Sequence, residues 1–128
     1  MIVLDASAVL ELLLHTTLAD AVRAQIGTHT LHAPHLLDVE VTAVIRRYVR
    51  GGHLSDARAR EALSVLVDLP ITRYPHQHLL PRVWQLRDNL SAHDAVYVAL
   101  AEALDAGLLT CDRAIAAAPG HRVRVTLV

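Results

Sequence analysis

Ser91-Ala-His-Asp-Ala-Val-Tyr-Val-Ala-Leu-Ala-Glu-Ala-Leu-Asp-Ala-Gly-Leu-Leu-Thr-Cys-Asp-Arg113 is the stretch whose reading decides the fold. Ser91 can cap a helix that runs to Asp105, with Gly107 just beyond its end. Leu108–Cys111 is then a short apolar run of the kind that forms a buried strand, and Asp112 follows it directly. Arg113–Ala118 is predicted as a short helix. A helix feeding straight into a buried strand is half of a parallel crossover unit, and the rest of the chain repeats that grammar.

Towards the N-terminus, Ile2–Leu4 is an apolar run closed by Asp5, and Ser7 is placed to cap a helix over Ala8–Leu14. Thr17 and Asp20 have the spacing of a capping box, opening a helix whose Leu18, Val22 and Ile26 precede Gly27. Thr30–Ala33 is a second strand, stopped by Pro34. Helices follow over Leu36–Arg50, closed by Gly51 and Gly52, and from Ser55 to Leu69, closed by Pro70. Ile71–Tyr74 is a third strand and Leu79–Arg87 a helix that tolerates Pro81 only in its first turn. Arg122–Val128, with Arg and Val alternating, is predicted as the final strand. Strands alternating with helices give an α/β fold, a parallel β-sheet flanked by helices on both faces with right-handed crossovers. No repeat or linker interrupts it, and 128 residues suit a single domain over residues 1–128.

The composition narrows what such a domain can do. Hydrophobic residues make up 53% of the chain, but only 3% is aromatic and Phe is absent, so the core is aliphatic. Single-stranded bases stack on aromatic faces, and Tyr48, Tyr74, Trp84 and Tyr97 are too scattered to form such a platform. The net charge of -1 and a pI near 6.7 exclude nucleic-acid binding by overall field. Any grip on RNA must be local and carried by a metal. The single Cys111 fits a reducing cytoplasm. Met-Ile-Val-Leu-Asp at the start lacks a basic run and does not read as a secretory signal. Apolar stretches break well short of the ~20 residues that cross a bilayer, so no membrane segment is expected.

Topology brings four acids together. Ligands of open α/β sheets bind outside the carboxyl ends of the strands. Asp5 and Asp112 follow two strands, and if those strands are parallel both acids lie on that edge. Asp94 occupies the first turn of the helix feeding Leu108–Cys111, and Glu40 the first half of the helix leaving Ala33; both helices start at the same edge. Clustered carboxylates repel and raise one another's pKa unless a cation neutralises them. Oxygen ligands suit Mg²⁺ or Mn²⁺, and no His-x-x-x-His or Cys-x-x-Cys spacing supports zinc.

Each acid also has an ordinary reading. Asp94 and Ser91 have capping-box spacing, Asp5 and Asp112 stand where caps stand, and Glu40, beside the apolar stripe Leu36, Leu37, Val41, Val44 and Ile45, is equally suited to a buried ion pair with an Arg. Ser7 reads as a helix cap whose hydroxyl also reaches whatever Asp5 binds. Arg46, Arg47 and Arg50 complement the dipole of their helix end. Arg47, two turns beyond Glu40, could also meet a phosphate. The nine His show no ligand pattern, and His93 reads as an exposed first-turn residue.

These residues resemble a known family. Met-Ile-Val-Leu-Asp-Ala-Ser-Ala-Val-Leu is similar to the opening of PIN domains. Leu-Asp-Val-Glu-Val-Thr-Ala-Val-Ile-Arg-Arg resembles their second block, with Glu40. Leu-Ser-Ala-His-Asp-Ala-Val-Tyr resembles the third, with Asp94, and Leu-Leu-Thr-Cys-Asp-Arg the fourth, with Asp112. The ordered set spans Met1 to Arg113 and looks most like the VapC toxins of bacterial toxin–antitoxin pairs. The resemblance implies a metal-dependent endoribonuclease, with Asp5 and Asp94 as the most direct Mg²⁺ or Mn²⁺ ligands, and Asp112 and Glu40 completing the sphere. It also implies a cognate antitoxin and a homodimer. The apolar helices around Leu10–Leu14 and Ala57–Leu69 offer the antitoxin a groove. No carboxylate follows Asp112 to serve a second metal.

Two other phosphoryl chemistries start from similar grammar. A haloacid-dehalogenase-type phosphohydrolase needs a second Asp where this chain has Ser7, and both it and a phospho-receiver domain use a Lys. All 12 basic residues here are Arg. A PIN-like binding module without activity is the remaining alternative.

Overall fold

A computed structural model describes residues 1–128. Its five strands are β1 (Ile2–Leu4), β2 (Leu31–Pro34), β3 (Ile71–Tyr74), β4 (Gly107–Thr110) and β5 (Val125–Leu127). All pair in parallel, in the order β3-β2-β1-β4-β5. The chain winds outward from β1 to β3, crosses over, and resumes beside β1 at β4. The order therefore reverses between β1 and β4, and the carboxyl ends of those two strands flank a crevice. Val3, Leu4, Leu108 and Leu109 are fully buried there, as central strands covered on both faces must be.

Helices α1 (Ala6–Leu13), α2 (Ala19–Ile26), α3 (Leu36–Arg50) and α4 (Asp56–Asp68) lie in the β1-to-β3 connections and pack on one another. Helices α5 (Leu80–Gln85), α6 (Ala92–Ala103) and α7 (Arg113–Ala117) belong to connections that travel the opposite way. Right-handed crossovers put the two groups on opposite faces, giving an α/β/α sandwich. Helix α6 is buried from Ala95 through Ala101, because it is clasped between the sheet and α5. Small residues at positions 95, 99 and 101 let its backbone approach both layers. No helix is long and apolar enough to cross a membrane.

Several boundaries differ from the sequence reading, each for a local reason. Asp5, not Ser7, caps α1, its Oδ1 accepting the Ala8 N–H at 3.1 Å. That leaves the Ser7 hydroxyl free to reach across to β4. The capping box expected of Thr17 and Asp20 does not form; Thr16 Oγ1 accepts the Leu18 N–H instead and donates to Glu11. Pro34 stays within β2, at its last residue, where β1 no longer pairs and the next amide, His35 N–H, bonds the Tyr74 carbonyl at 2.8 Å. Strand β4 ends at Thr110 rather than Cys111, since the Thr110 hydroxyl turns the chain by accepting the Asp112 N–H at 2.9 Å. The last strand is shorter than expected, because β4 offers it partners only from Leu108 to Thr110.

Candidate active site

Asp5 stands one residue beyond β1 with 3% of its surface exposed, one of its oxygens held from its own turn and the other from β4. Oδ1 accepts from the Ser7 hydroxyl at 2.7 Å and from Ala8 N–H; Oδ2 accepts from the Thr110 hydroxyl at 2.6 Å. The two hydroxyls do matching work. Ser7 Oγ accepts the Cys111 N–H at 2.9 Å, and Thr110 Oγ1 accepts the Asp112 N–H at the same distance. Consecutive amides of the β4–α7 turn are thus tied through two hydroxyls to the two oxygens of one carboxylate. With Oδ1 carrying two donors and Oδ2 one, Oδ2 keeps a lone pair for a further partner.

Burial pushes the Asp5 carboxyl above its ordinary range. The three hydrogen bonds oppose that rise, and the charge of Asp112 adds to it. Glu40, in the second turn of α3 and half-buried, is also raised by burial, with Asp94 and Asp5 adding and the Tyr97 hydroxyl and His93 opposing. Asp94, at the start of α6, is raised by burial and by Asp112, against Ser91 and His93. These influences close a ring in which Asp5 feels Asp112, Asp112 acts on Asp94, Asp94 acts on Glu40, and Glu40 feels Asp5. The fold therefore sets each of the four acids within electrostatic reach of two others at the carboxyl ends of β1 and β4.

The ordinary readings are settled individually. Asp112 does cap α7, its Oδ1 accepting Ala114 N–H at 2.8 Å, and Ser91 caps α6 through Asp94 N–H at 3.2 Å. Capping and clustering coexist in these side chains. Glu40 has no arginine partner: none of the five ion pairs includes it. Instead its Oε1 is shut away from solvent beside the enclosed Tyr97 hydroxyl, the two facing each other without a well-formed hydrogen bond. The two lie close enough to perturb each other, and Tyr97 holds its phenolic proton well beyond the usual range, by burial first and then by Glu40. Arg46, Arg47 and Arg50 are exposed on α3 and enter no ion pair. His93 is exposed, as expected, yet near enough to favour the charged forms of Glu40 and Asp94.

Thr110 and Tyr97 are the members of the site that the sequence reading missed. A fully buried Thr closing an apolar strand two residues before an acid was the available signal for Thr110. Tyr97 follows Asp94 by three residues, which places it on the same helix face.

A carboxylate-only donor set, one enclosed Glu40 oxygen without a well-formed hydrogen bond, and acids raised by burial and mutual repulsion fit a hard divalent cation. No three His, Cys, Asp or Glu side chains form a group set to hold one ion by themselves. Mg²⁺ ordinarily takes one or two carboxylates and fills its sphere with water and substrate phosphate, so two acids with free lone pairs meet its requirement.

The PIN domain family profile matches residues 2–120. Ribonuclease VapC9 of Mycobacterium tuberculosis is 47% identical over 112 residues, covering 88% of this chain and 86% of that protein. Ribonuclease VapC1 of the same organism is 44% identical over 128 residues, covering 98% and 96%. Among solved structures, VapBC2 from Rickettsia felis, bound to a DNA fragment from the promoter, matches with a TM-score of 0.72 at 12% identity. That match covers 99% of this chain and 98% of the other, and is a likeness of fold. From fold, site geometry and these relatives together, the chain belongs to the PIN domain family, in its VapC branch.

Proposed function

We infer that this chain is an endoribonuclease toxin neutralised by a cognate antitoxin, its residues 1–128 acting as one nuclease domain. The convergence of Asp5, Glu40, Asp94 and Asp112 at the reversal of strand order carries this reading. Asp5, Asp94, Asp112 and Glu40 would hold Mg²⁺ or Mn²⁺, with Asp5 contributing through Oδ2. When bound, the ion lowers the pKa of a coordinated water and offsets charge developing on the phosphodiester. The protein's own part is positional. Ser7 and Thr110 fix the Asp5 carboxylate against the β4–α7 turn, and α6 delivers Asp94 to the same point. The crevice would take the RNA phosphate.

The cognate antitoxin would find apolar surface on α1 and α4. Leu12 and Leu14 are half-buried, and on α4 Val65 and Val67 are exposed, Val67 by 75% on the side that faces Thr42 of α3. An amphipathic segment covering them would bury apolar surface. The toxin is expected to act as a homodimer in the cytoplasm.

The decisive experiment pairs ribonuclease assay with growth. Wild-type protein with Mg²⁺ should cleave RNA and, expressed alone, arrest growth; Asp5→Asn should do neither while still binding the antitoxin. Antitoxin binding with no cleavage by wild type would leave an inactive PIN-fold binding module as the function. Undiminished cleavage by Asp5→Asn would reject the assigned site.

A further inference from the structure

Helix α6 has a second end. Opposite the acid edge, its last turn and the loop entering β5 border a half-open cavity of roughly 780 Å³, within the range of small-molecule sites. The walls are built rigidly. Arg82 of α5 donates from Nε and an Nη to both oxygens of Glu102 at 2.7 and 2.9 Å, and from that same Nη to the Gly120 carbonyl at 3.0 Å. Gly120 has φ +92°, and a Cβ there would meet Asn89 Nδ2 at 2.8 Å, so no other residue suits the loop.

Three groups on these walls lack partners. His121 accepts the Val123 N–H on Nδ1 at 3.2 Å, which places its proton on Nε2; that Nε2 is enclosed and bonded to nothing. Arg122 and Arg124 also line the cavity, and their guanidiniums belong to no ion pair. One enclosed N–H donor and two free guanidiniums ask for an acceptor with negative charge, and a phosphate oxygen set answers both. Asp105, also on the wall and unpaired, would repel a bare anion but can accept from a hydroxyl or amino group on the same ligand. Phosphate on one side and donors on the other describe a nucleotide.

We propose that this cavity is a nucleotide-binding site, separate from the acid crevice, in which His121, Arg122 and Arg124 take the phosphate and Asp105 the nucleoside. From Asp94 to Glu102 the helix advances 8 residues, roughly 12 Å, through the core, so the two sites do not share a ligand atom.

The test is titration of AMP and of inorganic phosphate in EDTA, followed by calorimetry and amide NMR, which removes metal-mediated binding at the crevice. AMP should bind saturably and shift amides of residues 120–124. Arg122→Ala with Arg124→Ala should weaken it by about tenfold or more, the loss expected for charge-assisted hydrogen bonds. Asp105→Asn should weaken AMP but not phosphate, and Asp5→Asn should change neither. A 5′-phosphorylated, 2′-O-methylated trinucleotide that displaces AMP would assign the site to RNA ends, and failure to displace it to free nucleotides. No saturable binding of AMP by the wild type, or equal binding by the double Arg variant with its fold intact by NMR, overturns the proposal. Failure of the ribonuclease assignment would leave this result unaffected.

Discussion

Asp5 accepts three hydrogen bonds and is still raised, because burial outweighs them. A carboxyl whose folded pKa lies above its unfolded value favours folding most when it is protonated, and that contribution is lost as pH rises through the folded pKa. Glu40 and Asp94 are raised as well. In EDTA, the carboxylate contribution to stability should therefore grow as pH falls from neutral towards the ordinary carboxylate range. His32 works the other way. Buried between Thr30 and Tyr74, it is lowered by burial, so its contribution holds above its unfolded value and fades as pH falls through the folded one. Urea unfolding across pH should show the acid gain diminished in Asp94→Asn and Glu40→Gln; an unchanged slope in both would contradict the ring of repulsion. Thr110 gives a second residue-scale expectation. Thr110→Val keeps the shape but strips a donor from Asp5 and an acceptor from Asp112 N–H. It should cost about 1–3 kcal/mol and most of the nuclease activity, with Thr110→Ser restoring both.

At the scale of elements, α6 could be read from sequence because the Ser91 cap, an unbroken run of helix formers and Gly107 agree. Ser91→Ala should cost about 1 kcal/mol by loss of the cap, while Ser91→Asn keeps it; thermal unfolding distinguishes them. The α/β alternation and the four acids were legible for the same reason, since apolar runs, caps and acids at strand ends are local signals. What was not legible depended on partners distant in sequence. Whether Asp5 or Ser7 caps α1 is decided by Cys111 N–H and Thr110, over a hundred residues away. Strand β4 ends at Thr110 rather than Cys111 because a side chain, not a change in hydropathy, turns the chain. Strand β5 is as short as the edge of β4 allows. Glu40 stood between ion pair and open acid until the absence of any Arg beside it could be seen.

For the whole molecule, a cation bound only by the folded state adds stability by mass action, about 1.4 kcal/mol at ten times its dissociation constant. Mg²⁺ or Mn²⁺ should raise the melting temperature by several degrees over EDTA, and the gain should vanish in Asp5→Asn. Superimposable curves in Mg²⁺ and EDTA would remove the metal from the proposal. The antitoxin expectation belongs to this scale too. Growth arrest by the toxin alone should be relieved by coexpressing the adjacent open reading frame. Val67→Asp should weaken the complex without reducing cleavage, because the exposed α4 face lies outside the crevice.

The paired hydroxyls that fasten Asp5 to the β4–α7 turn also set a clock. Residue 5 leaves the ribosome more than a hundred residues ahead of residue 110, and until β4 docks beside β1 the earlier acid has neither its Thr110 donor nor its neighbour Asp112. At roughly 5–20 residues per second, synthesis passes through most of the chain before the crevice can exist. A chain stopped before β4 is therefore expected to cleave no RNA, because its first acid lacks the partners that complete the crevice.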